Sequence, residues 1–219
     1  MFLRLKSLFL KAVETLKSVI QRRCLIVKAT TATFFIALLV TVIVTIFVFS
    51  FAPELLDKVS SLAQSVLNFE DAPNPFTGSF FSYIFLNNIG HFWNPVRMFV
   101  WIPLLGSVLL GFEILLNGVL IGAVAAIVGV NQGVVYPIAG LLPHGMIEIP
   151  AFLLQATCIV VWQVTLSEAI ITKMRGRELE KDKIRQGLQD ALILAVASII
   201  FFMIAAFIET YITPYILGI

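Results

Sequence analysis

Charge is what this chain has least of. Asp, Glu, Lys and Arg make up 13% of its 219 residues, where soluble domains carry ~25%. Against that scarcity, 59% of the residues are hydrophobic, 19 are Phe, and the mean hydropathy is +0.99. So little charge cannot keep such a surface in water, which excludes a soluble enzyme and a disordered chain. Cysteine is scarce too. Cys24 lies beside a basic cluster and Cys158 in an apolar run, so two unpaired thiols are expected rather than a disulfide framework. There is no Walker loop, nucleophile elbow, paired-Cys metal motif or dinucleotide fingerprint. No basic-aromatic pattern suits nucleic acid either. These absences leave an all-α, polytopic membrane helix bundle whose first partner is the lipid bilayer.

The apolar runs set the expected organisation. Residues 1–24 form a basic amphipathic helix, with Leu5, Leu8, Phe9, Ala12, Val13, Leu16, Val19 and Ile20 on one face, suited to the inner leaflet. Residues 25–51 are a first span, long enough to cross with some tilt. Residues 97–172 have room for three spans plus a re-entrant piece at 135–142, with breaks near Asn117-Gly118 and between Val130 and Val135. A basic loop, 173–187, leads to the last span and C-terminus, 188–219. About five spans result. Seven Lys/Arg fall in residues 1–28 and six in 173–185, while the external loop 52–96 has Lys58 against Glu54, Asp57, Glu70 and Asp71. The positive-inside rule then makes the N-terminus cytoplasmic and the C-terminus external, in a cell (inner) membrane. Within the outer loop, Asn87, Asn88, His91 and Trp93 are expected on an interfacial helix, among aromatics suited to headgroups.

Ionisable groups inside apolar spans are costly and need a partner or a purpose. The expected intramembrane polar cluster is Glu113, Asn117, His144, Glu148, Gln155 and Glu209. Glu113 and Asn117 are four apart, as are His144 and Glu148, so each pair shares a helix face. Pro143 suits a first helical turn and Pro150 should kink the same helix. A His–Glu brace at the kink is the plain reading. The functional ones are proton or ion handling, or a divalent metal on His144 and Glu148 with a third ligand from Glu113 or Glu209. No other cofactor is expected. Gly118, Gly122 and Ala126 recur every four residues, which lets a helix approach closely, either within the chain or in a homodimer.

Several stretches together resemble the stage II sporulation protein M family. They are Leu86-Asn87-Asn88, Leu116-Asn117-Gly118, Pro143-His144-Gly145-Met146-Ile147-Glu148-Ile149-Pro150-Ala151, Ile208-Glu209 and Ile212-Thr213-Pro214, over about residues 80–214. The resemblance implies a multi-span protein without established enzymatic activity. In endospore formers the namesake anchors peptidoglycan-degrading partners at the membrane, but the family is spread beyond organisms with peptidoglycan. The expectation is therefore a non-enzymatic scaffold that recruits partners through 52–96 or the basic segments. The alternatives are a small ion or solute carrier using the polar cluster, and a metal-dependent hydrolase on His144 and Glu148.

Overall fold

In lipid every backbone N–H and C=O must be satisfied within its own segment, so apolar runs fold as helices. The computed structural model describes residues 2–52, 54, 58 and 73–218, and among these the chain is helical with no strand. Helix α1 covers Phe2–Arg22 and α2 covers Cys24–Phe51. Then come α3 (Gly78–Asn88), 3-10 turns at Gly90–Phe92 and Arg97–Trp101, and α4 (Gly106–Gln132). Helix α5 is Val135–Met174 and α6 is Lys181–Phe207, followed by a π turn, Ile208–Ile212, and α7 (Thr213–Leu217). Most of the 52–71 part of the expected outer loop lies outside the described residues.

Four helices are long and apolar enough to cross a membrane by length and composition: Cys24–Phe51, Gly106–Gln132, Val135–Met174 and Lys181–Leu217. About five were expected. The difference lies in 97–172, where two such helices form rather than three. Residues 135–142 are not a separate re-entrant piece but the first turns of α5. The break before them is as expected, with Gly133 at φ +87° ending α4. Neither Pro143 nor Pro150 ends α5, although each withholds one backbone donor.

Two pairings build the bundle. Helix α4 buries Gly106, Leu110, Ile114, Gly118, Gly122 and Ala126, a residue at every fourth position. Along this stripe it runs parallel to α2: a Cβ on Gly118 would lie 2.6 Å from the Phe34 carbonyl oxygen, and one on Gly122 2.6 Å from that of Leu38. The small residues therefore serve packing within the chain, and α2 already covers the Gly118–Gly122 part of the stripe that the homodimer reading needed. Helix α5 is antiparallel to α6 and the turns that continue it, with Gly187 of α6 against Thr165 at one end and Thr213 of α7 against His144 at the other. Their core joins Leu154, Cys158 and Val161 to Ala191 and Leu194, and Val19 of α1 packs into it. The other core, around Phe34, Leu110, Ile114 and Ile159, ties α2 and α4 to α5. Cys24 is exposed, Cys158 is buried and both are free.

The path from 76 to 104 departs most from expectation. The Phe76 amide donates to the Thr210 carbonyl (3.2 Å), and Thr77 caps α3 by accepting from the Phe80 amide. Further on, the Trp101 indole donates to the His91 carbonyl (2.8 Å) and the Trp162 indole to the Trp101 carbonyl (3.1 Å). Gln163 donates to the Val100 carbonyl, and the Leu104 amide donates to Ser167 Oγ (3.2 Å). The segment thus runs lengthwise along α5 instead of lying flat at one end. Residues 144–167 of α5 alone rise about 35 Å.

Candidate functional site

A cavity of about 830 Å³ opens between α2, α4 and α5, in the half of the bundle remote from Arg22 and Arg23. Its walls are mostly apolar, with Phe34, Val42, Ile121, Ile138, Phe152 and Phe202 among them. Into this surface project Glu113, Asn117, His144, Glu148 and Gln155 from the expected cluster, together with Asn87, Asn88, His91 and Arg97. The structure divides these polar groups into two sets.

The first set centres on His91. Its Nδ1 lies 3.0 Å from Gln155 Oε1 and its Nε2 lies 2.8 Å from Glu113 Oε2. Gln155 Nε2 in turn donates to the Asn88 carbonyl at 3.4 Å, which turns Oε1 toward the imidazole. Asn117 is tied differently, donating from its side chain to the Glu113 carbonyl at 2.9 Å.

This corrects two expectations. His91 was read as interfacial, but it is 3% exposed and its partners are bundle residues rather than headgroups. The 3-10 turn at Gly90–Phe92 turns it inward. Of its expected companions, Trp93 is half exposed, with its indole donating to the Leu86 carbonyl, and Asn87 takes Arg97 on its carbonyl oxygen at 2.7 Å. Asn88 is turned inward as well, its side-chain nitrogen buried on the side of Glu148. Glu113, meanwhile, is not the third member of the His144–Glu148 group, because His91 holds its carboxylate.

The second set is His144, Glu148 and Glu209, whose ligand-type atoms lie within 4.8 Å of one another. His144 and Glu148 share a face of α5 by their four-residue spacing, with Nε2 and Oε2 3.7 Å apart. Thr213 Oγ1 lies 3.3 Å from the other imidazole nitrogen, Nδ1. Glu209 comes from the π turn, a widened helical turn of the kind that recurs at functional sites. Among the described residues no lysine or arginine forms an ion pair with Glu148 or Glu209.

The sequence reading missed a third polar site. Asp190, which the polar cluster expected from the sequence does not include, is 1% exposed and accepts from Arg22 (3.0 Å) and Arg23 (2.8 Å). The adjacent arginines at the end of α1 were the available signal.

Comparison with known proteins agrees with the membrane fold. A family profile described as Stage II sporulation protein M matches residues 31–214. An uncharacterized protein of Methanocaldococcus jannaschii is 34% identical over 125 residues, covering 52% of this chain and 65% of that protein. This chain therefore spans less than two thirds of that relative's length. No solved structure matches.

Proposed function

This chain belongs to the stage II sporulation protein M family, and on that premise we propose that it binds a small amphipathic solute inside the membrane, as a carrier does. The cavity carries this reading. About 830 Å³ is room for a drug-sized or larger molecule, with apolar walls for its body and the Glu113, Glu148 and Arg97 side chains for its head.

The reading includes a topology. Both basic segments belong to one end of the bundle, since Arg22 and Arg23 at the end of α1 grip Asp190 near the start of α6. With that end cytoplasmic, the N-terminus is inside and the C-terminus outside a cell (inner) membrane. The segment 76–104, running alongside α5, then supplies a fifth passage as a broken helix, and the opening of the cavity belongs to the outer half.

Mass spectrometry of the detergent-purified protein tests the reading. A bound lipid-sized molecule in the wild type, lost in the cavity-filling variants Gly129→Leu and Ile138→Trp, is the expected result. Wild-type protein that carries no such molecule, or variants that hold it equally well, would reject the carrier reading.

Scaffolding is the second reading, and one observation favours it. Helix α1 leaves Leu8, Phe9 and Val13 exposed beside Lys6, Lys11 and Lys17, a face that fits an anionic leaflet or a partner protein. A second copy of this chain, as in the expected homodimer, would have to meet a face other than the Gly118–Gly122 seam. Loss of partner crosslinks on deleting residues 59–72, with the cavity ligand retained, would favour scaffolding.

A further inference from the structure

The two carboxylates of the second polar set pose an electrostatic question that the first set answers for itself. Glu113 has His91. Glu148 and Glu209 lie close together, with His144 beside them and the Asn88 amide at Glu148, and among the described residues no cation offsets the two carboxylates, which repel as like charges in an apolar bundle. A bound cation removes the repulsion.

We propose that His144, Glu148 and Glu209 bind one divalent cation of the Zn²⁺ or Mn²⁺ class. Three features support this assignment. The hydroxyl of Thr213 engages His144 Nδ1 at 3.3 Å, which leaves Nε2 for the metal, in the place where a histidine ligand ordinarily meets a carboxylate, carbonyl or water. Around a tetrahedral ion with bonds of ~2.0–2.1 Å, neighbouring ligand atoms sit ~3.3 Å apart. The 3.7 Å between Nε2 and Oε2 is therefore a slightly open version of that spacing. Finally, Glu209 is presented by a π turn rather than a regular helix, which sets its carboxylate toward α5. One nitrogen and two carboxylate oxygens suit a borderline divalent ion, and three protein ligands leave a coordination position free. Two of the three residues, His144 and Glu148, also help to form the wall of the cavity. The metal site stands whether or not the cavity carries a solute.

The test uses the full chain in detergent, stripped with chelator and dialysed against Zn²⁺ or Mn²⁺ alone. Metal is then measured against protein, and Co²⁺ loading is followed by visible absorption. The expected result is close to one equivalent in the wild type and in Glu113→Gln. Glu209→Gln loses the metal and its Co²⁺ bands, and Thr213→Val binds about 10- to 100-fold more weakly. Helicity and monodispersity establish that each variant is folded. Should Glu209→Gln fail to fold, Glu209→Asp keeps the charge and must alter the Co²⁺ spectrum. Absence of metal from the wild type, or full occupancy in folded Glu209→Gln, overturns the proposal. A cavity ligand that survives metal stripping would count against neither reading, because the two sites are read out separately.

Discussion

Acids lie at opposite ends of this bundle, one buried and two half-buried, and are treated in opposite ways. Asp190, at the basic end, is 1% exposed and held by the two guanidinium groups of Arg22 and Arg23. Glu148 and Glu209, at the other end, share one histidine and have no lysine or arginine partner among the described residues. At the first site the fold supplies the countercharge, so the acid fastens α1 to α6 and is architectural. At the second the fold leaves a deficit of positive charge in an apolar setting, an arrangement suited to a guest from outside the chain.

The comparison can be broken first at the satisfied end. Replacing Arg22 and Arg23 together by Ala leaves a buried carboxylate uncompensated and should cost about 3–5 kcal/mol. Thermal unfolding in detergent reads this directly, and an unchanged melting temperature would mean that Asp190 is not a fastener. At the other end the sign reverses. With metal removed by chelator, Glu209→Gln relieves like-charge repulsion and should stabilise the protein by at most about 1 kcal/mol. A clear loss of stability under those conditions would show that the carboxylate pair is internally satisfied after all. The smallest effect belongs to a charge pair in neither class. Glu180 raises the proton affinity of the Lys183 ammonium across 2.8 Å, but both side chains are largely exposed. Solvent screens such pairs, so Glu180→Gln should leave the melting curve where it was.

What was legible in the sequence follows from range. Gly118, Gly122 and Ala126 announce close packing because a four-residue spacing is local, but nothing local says that α2 lies across them. His144 and Glu148 are readable as a pair for the same reason. Glu209 entered only as one of two possible third ligands, and the turn that brings it over α5 is formed by a different part of the chain. His91 was the hardest to read. Its partners Glu113 and Gln155 lie 22 and 64 residues away, and it sits on a 3-10 turn that no helical period describes. Hydropathy placed three spans in 97–172, where two long apolar helices form. A segment that pairs its polar groups with neighbouring helices needs no long apolar run, and so leaves no trace in such a reading.

The route of residues 76–104 has a consequence for how the protein is made. Its fastenings are Gln155, Trp162, Gln163, Ser167 and Thr210, all of which leave the ribosome after it does. With Asn87, Asn88, His91 and Arg97 to accommodate, the segment cannot partition into lipid unaided. The hydrogen-bond partners that hold it are therefore complete only once α5 and α6 have been made, which gives assembly of the bundle a late step.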